Sequence, residues 1–289
     1  MTTLTRPLRA LTTRTEWLLL LPSIVLLAAL FGWPLVQAVL AAFRDDHGFT
    51  LAQWRRLFDD PYFFTALRNT LLLIVIVVPI QLVLSIAMAL LLQARPRFAG
   101  VHFYLWCVPL AVSELAAGLV WLAVFGNRGY LNSLLVWLGL SEQGVQWLGY
   151  QHTGTMLLAV VVAEVWRATS LVFVIVVAGV QLVPRDYDEA AQVFGATLWQ
   201  RLRHVTLPLL GPSLQVALIL RTILALQAFA VAQALTGRDF PLLVGETYQW
   251  YSNLQNPAVA SCVSLVVLAI SLGTAVFYLR TVRNPDGAR

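Results

Sequence analysis

The sequence predicts an all-α integral membrane protein, a single domain over residues 1–289 with six membrane-spanning helices. Three observations carry the prediction. Hydrophobic residues make up 59% of the chain and charged residues only 11%, against roughly a quarter charged in soluble proteins. Six apolar runs are each long enough to supply the ~20 helical residues that cross a bilayer. Polar and apolar residues do not alternate within them, which argues against the strands of a barrel.

The runs fall at about residues 17–43, 71–92, 101–125, 155–182, 205–235 and 259–279. The first, with Pro22 and Pro34, is too long for the core of a secretion signal and no convincing cleavage pattern follows it, so it is expected to stay as a span. The second, LLLIVIVVPIQLVLSIAMALLL, is almost purely apolar. The third contains Glu114, the fourth Glu164 and Arg167, and the fifth Arg221 and Gln227.

Arginines set the orientation, because short loops rich in positive charge stay in the cytoplasm. With both termini inside, the cytoplasmic segments hold Arg6, Arg9, Arg14, Arg95, Arg97, Arg185, Arg201, Arg203, Arg280, Arg283 and Arg289. The outer segments hold Arg44, Arg55, Arg56, Arg68, Arg128 and Arg238. The larger set on the inner side predicts cytoplasmic termini and a cytoplasmic loop at 183–206. The net charge of +5 is assigned to orientation and membrane lipid, and nucleic acid is not an expected partner because the arginines are scattered.

Several chemistries lack their residues. Every basic residue is arginine and no G-x-x-x-x-G-K sequence occurs, so the chain has no P-loop of its own. His47, His102, His152 and His204 lie far apart with no metal-ligand spacing, so no metal site is expected. Cys107 and Cys262 fall within spans and read as small packing residues. No catalytic constellation is visible, and the chain is not expected to be an enzyme.

The loop at 183–206 is the polar exception. Pro184 suits a helix start, and Asp186, Asp188 and Glu189 place negative charge at the positive end of the dipole. Tyr187, Ala190, Ala191 and Phe194 recur at helical spacing as one apolar stripe with small residues in its middle. Gly195 breaks the helix, and a second piece, about 196–204, carries Leu198 and Leu202. Such a helix-Gly-helix either docks into a partner's groove or lies on lipid; the early carboxylates argue against an anionic inner leaflet.

The same residues carry a family likeness. Glu189, Ala190, Ala191, Gly195, Val205, Leu207 and Pro208 match in type and spacing the EAA signature of ABC-importer permease subunits. The whole chain resembles the carbohydrate-uptake branch, most closely its maltose-permease F-type subunits, through ALRNTLLLIVIVVPIQLVLSIAMALLL, AAGLVWLAVFGNRGYLNSLLVWLGL and EVWRATSLVFVIVVAGVQLVPRDYDEAA. The resemblance implies the type I ABC-importer permease fold, with cytoplasmic EAA coupling helices in which Asp188, Glu189, Ala190, Ala191, Phe194 and Gly195 meet the ATPase. It implies as partners a second homologous permease, two cytoplasmic ATPase subunits that bind ATP and Mg, and an extracytoplasmic solute-binding protein. The setting it implies is a bacterial or archaeal plasma (inner) membrane. Phe194 departs from the family's frequent Asp, and LTGRDFP at 235–241 departs from its usual T-x-G-G-P.

Ionisable residues in mid-membrane default to function or to paired structure. Glu164 and Arg167 share a helical face and can pair. The resemblance places substrate-contacting positions at Glu164, Arg167, Ala168 and Leu171 on the fourth span, and at Arg221, Leu224, Ala225 and Ala228 on the fifth; Gln227 adds a polar group there. Arginine and carboxylate suit either a sugar or a charged solute such as glycerol phosphate, and a structural ion pair is the competing reading. An ion-coupled secondary transporter is a further alternative, using Glu164 or Glu114 as a proton site. On the outer side, Leu131, Leu134, Leu135 and Leu138 predict a short amphipathic helix.

Overall fold

The computed structural model describes residues 18–45, 48–94, 96–142 and 144–281. His47, Arg6, Arg9, Arg14, Arg95, Arg283 and Arg289, and residue 17 at the start of the first run, lie outside the described residues. Helices dominate. Four are long and apolar enough to cross a membrane, and six spans result if each of two bent pairs counts as one.

The first span, α1 (Leu18–Phe43), widens into a π turn at Ala28–Gly32. Pro34 explains the widening: its ring clashes with the carbonyl four residues earlier, and an inserted residue relieves the clash. A two-residue hairpin, β1 (Arg44–Asp45) with β2 (Gly48–Phe49), pairs Arg44 with Phe49, and α2 (Ala52–Phe58) follows.

The second span belongs to α3 (Pro61–Gln93), which starts about ten residues before the apolar run. Pro61 sits in its first turn, and the Asp60 carboxylate accepts from the Tyr62 amide at 2.9 Å, so capping rather than apolarity sets the start. The added turns are fixed by buried polar residues: Asn69 Nδ2 donates to the Pro241 carbonyl, and Thr70 Oγ1 accepts from the Leu243 amide, both at 3.1 Å.

The third span is not one helix, contrary to the sequence reading. Helix α4 (Ala99–Cys107) tightens into a 3₁₀ turn over Val108–Ala111, and the chain resumes at α5 (Glu114–Phe125), the two halves bent by 101°. Pro109 removes a donor, and Ser113, extended at ψ 154°, caps the new helix by accepting from the Ala116 amide. An S-E pair inside an apolar run was the missed signal. Helix α6 (Tyr130–Trp137) forms where the leucine spacing predicts it, but Asn132 anchors it. The Asn132 amide nitrogen donates to the Gly126, Asn127 and Val145 carbonyls; its oxygen accepts from the Val145 amide and the Trp147 indole.

The fourth span is α7 (Thr153–Leu182), the most buried of the four long apolar helices. Helices α8 (Arg185–Val193) and α9 (Leu198–Leu209) form the polar loop and lead into the fifth span. That span is also broken. Helix α10 (Gly211–Leu226) meets α9 at 71°, with Pro212 at its start, and the chain unwinds again at residues 227–229 before α11 (Ala230–Thr236). After α12 (Leu243–Tyr248), α13 (Pro257–Thr281) makes the last span.

Close packing uses glycine where two helices meet. A Cβ on Gly118 would lie 2.7 Å from Ala234 Cβ, and one on Gly179 would collide with the Ser213 side chain, the small-residue contact expected between helices in lipid. Of the three apolar clusters among the described residues, two share α7. Leu73, Val77, Ala117, Met156, Val160, Ala163 and Val231 pack in one, and Ala89, Phe173, Val176, Val180, Leu210 and Ala217 in the other. Along α7, Glu164 and Arg167 fall between them.

Candidate functional site: a buried charge cluster and a polar elbow

Two arrangements stand out. Between the two apolar clusters that share α7, five polar side chains from four helices form one chain of contacts. Arg221 on α10 donates from Nε to Gln81 Oε1 at 2.5 Å and from Nη2 to Glu164 Oε2 at 2.9 Å. Glu164 also accepts from Arg167 at 3.3 Å, and Arg167 reaches Glu114 on α5 at 2.8 Å. Gln81 Nε2 closes the inner end by donating to the Glu164 carbonyl at 2.8 Å.

Burial grades along the chain. Gln81, Glu164 and Arg221 are 2% exposed or less, whereas the Arg167 and Glu114 side chains are 17% and 40% exposed. Two guanidinium and two carboxylate groups balance in charge. Unpaired, each would be expensive in mid-membrane, so mutual pairing is the condition of their being there. The guanidinium nitrogens Nη1 of Arg221 and Nε of Arg167 remain buried without a protein partner.

The remaining pathway residues divide by exposure. Ala168, Ala225 and Ala228 are buried in helix packing, Leu171 is half-buried, and Leu224 and Gln227 are exposed. Glu164, Arg167 and Arg221 are thus brought together, while Leu224 and Gln227 stand apart from the charged chain. Sequence reasoning missed Gln81, although a lone amide in an otherwise apolar 22-residue run was its signal. It also missed that Glu114 completes the cluster.

The second arrangement is the elbow of α8 and α9. Helix α8 ends in a Schellman motif: the Ala196 amide donates to the Ala191 carbonyl at 3.0 Å, and the Gly195 amide to Gln192 at 2.9 Å. The motif needs a left-handed residue at Gly195, which has φ +76°, the region open to glycine without strain. Thr197 then starts α9 through a capping box with Gln200. Asp186 and Asp188 occupy the first turn of α8, with Glu189 just beyond it.

The elbow's outer surface is apolar and open. Phe194 is 89% exposed; Val193, Leu198, Trp199 and Tyr187 are exposed as well, and Glu189 and Ala190 face outward with them. Ala191 is half-buried inside the bend. Asp188 turns inward, binding Arg201 at 2.7 and 2.9 Å and Gln192 at 2.9 Å.

Residues 70–284 match the family of binding-protein-dependent transport system inner membrane components. A probable ABC transporter permease protein of Brucella suis is 33% identical over 279 residues, 91% of this chain and 95% of the relative. The sulfoquinovosyl glycerol transport system permease protein SmoG of Agrobacterium fabrum is 30% identical, with 93% and 90% covered. The trehalose/maltose transport system permease protein MalF of Thermococcus litoralis is 33% identical over 71% of this chain and 70% of its own. In fold, the chain is similar to a bacterial ABC transporter involved in the import of the acidic polysaccharide alginate, with a TM-score of 0.77, 20% identity, and 93% and 96% of the chains covered. The elbow, the helical fold and the family match agree: this chain belongs to the binding-protein-dependent transport system inner membrane components, the permease subunits of ABC importers.

Proposed function

We propose that the chain forms one half of the translocation pathway for a sugar, driven by ATP hydrolysis in separate subunits. The elbow carries the reading. A membrane protein that presents an open apolar helix pair, ordered by its own caps and without a nucleotide motif of its own, is built to receive work from a partner that has one. The partner is an ATPase holding ATP and Mg in two copies, with α8 as the part that docks.

A second, homologous permease completes the path, and a solute-binding protein delivers the sugar from outside. The related alginate transporter has been crystallised in complex with an alginate pentasaccharide-bound periplasmic protein, which supports such a partner. The arginine distribution supports cytoplasmic termini in a bacterial or archaeal inner membrane. The names of the relatives, which include trehalose/maltose and sulfoquinovosyl glycerol systems, support a carbohydrate.

The charge cluster favours a hydroxyl-rich, uncharged solute over glycerol phosphate, because each guanidinium already faces a carboxylate and no surplus positive charge is left for a phosphate. At its accessible end, Arg167 and Glu114 offer a donor fork beside an acceptor, the pair of functions that neighbouring sugar hydroxyls bind. Affinity purification of the tagged chain from its native membrane tests the assembly. An ATP-hydrolysing subunit and a second permease are expected to come with it. Recovery of the chain as an assembly of itself alone would refute the reading.

A further inference from the structure

We propose that the Asp188–Arg201 pair is the mechanical link of the elbow, a positioning pair through which movement of α8 reaches the fifth span. The inference rests on the reading of the loop as the site where an ATPase subunit docks. It goes beyond that reading by naming the residues that carry the load once docking has occurred.

The backbone between the two helices turns through Gly195, and glycine, the residue that makes the Schellman turn, is also the least stiff place in it. A push on α8 transmitted through that turn alone would be absorbed by rotation about it. The link that bypasses the glycine is the bidentate pair. Arg201 Nε and Nη2 donate to the two oxygens of Asp188 at 2.7 and 2.9 Å, thirteen residues apart in sequence. Among the described residues, every side-chain hydrogen bond that joins α8 to α9 runs between these two. Two parallel bonds from a planar guanidinium fix an orientation as well as a distance.

Each end is held in turn. Gln192 donates to Asp188 at 2.9 Å, and the capping box of Thr197 and Gln200 sets the first turn of α9 immediately before Arg201. Beyond Arg201 the helical path runs through a π turn at Leu202–Thr206 to Leu209, then bends into α10, which carries Arg221. The pair therefore connects the docking helix to the helix that enters the buried cluster.

The pair is 20% and 34% exposed at its side chains, so it contributes little to folding. That separates a positioning role from a structural one. The experiment uses the complete transporter in proteoliposomes, measuring solute moved per ATP hydrolysed. Asp188→Asn and Arg201→Gln are each expected to lower this ratio about tenfold while the subunits still purify together, and the charge swap Asp188→Arg with Arg201→Asp is expected to restore most of it.

Single variants with the wild-type ratio would overturn the proposal. So would a swap no better than the singles in a complex that still assembles, since Asp188 would then act by touching the ATPase itself. A wild-type chain that brings no ATPase with it is a different failure, and it would remove the reading of the loop on which the proposal stands.

Discussion

The molecule uses the same chemistry twice, with opposite consequences. In the buried cluster Arg221 and Glu164 meet at 2% and 1% exposure; in the elbow Arg201 and Asp188 meet at 20% and 34%. The buried pair has no water to fall back on, so removing one member strands the other's charge in a medium that cannot solvate it. The elbow pair is wetted on one side, and either member regains water when the other is lost. One pair therefore bears on whether the subunit stands in the membrane, and the other on what the standing subunit does.

The largest effect should come from breaking the buried side of this comparison. Glu164→Ala leaves Arg221 and part of Arg167 uncompensated and is expected to lose about 3–5 kcal/mol of stability, read as a collapse of folded protein in detergent thermal melts. The double change Glu164→Leu with Arg221→Met removes both charges and leaves Arg167 with Glu114. It is expected to recover most of that loss, so a double variant as unstable as the single would show that charge balance is not what matters there.

Next in size is the turn of the elbow. Gly195→Val forces a β-branched residue to φ +76°, a strain of about 1–3 kcal/mol confined to a solvent-facing turn. Membrane levels and melting of the bundle should stay near wild type while ATP-driven uptake is lost. Uptake at the normal rate in this variant would disconnect the elbow from transport.

Phe194→Ser is expected to change stability by no more than about 0.5 kcal/mol, because an 89% exposed ring has little packing to lose. Its effect belongs to the partner. The ATPase should dissociate from the permease more readily, as followed by its retention on the tagged complex in detergent. Unchanged retention would take Phe194 out of the docking surface.

How much of this was legible in the sequence follows from the same contrast. The elbow was readable because its determinants are local: a proline at the start, carboxylates in the first turn, a glycine at the end and helical spacing between them. The four long membrane-spanning helices were readable from apolarity. The breaks in the third and fifth spans were not, since hydropathy is blind to backbone direction and Ser113 and Gly211 carry little weight in an apolar window. The cluster was half readable. Glu164 and Arg167 are three residues apart and predict each other, whereas Gln81 and Arg221 are 140 positions apart and meet only because α3, α7 and α10 pack together. Asp188 and Arg201 lie between these cases, within one loop but joined only once the turn is made.

The smallest expected effect lies in α12, which carries a carboxylate intermediate between the two pairs. Glu246 is buried but paired with Arg238, 38% exposed at its side chain, at 3.2 Å, and Arg238 also stacks on Tyr62. Burial pushes the Glu246 carboxyl above its ordinary value, Arg238 pulls it back, and Asp60 adds to the rise. A carboxyl whose pKa rises on folding holds its proton more tightly in the folded loop, so its contribution to stability is full at acid pH and is lost as pH rises through the raised value. Hydrogen exchange of residues 237–250, corrected for intrinsic rates, should show protection falling across that range, and Glu246→Gln should flatten the slope. A slope unchanged in Glu246→Gln would assign the dependence to another group.

The central claim, that this chain is a sugar-importing permease powered through its elbow, is tested most directly by uptake into proteoliposomes containing the chain, its second permease and the ATPase. The solute-binding protein and a radiolabelled sugar such as trehalose or maltose are supplied on the opposite side from ATP. The account predicts uptake that requires both ATP and the binding protein and is indifferent to a proton or sodium gradient. Uptake driven by an ion gradient without ATP would contradict it.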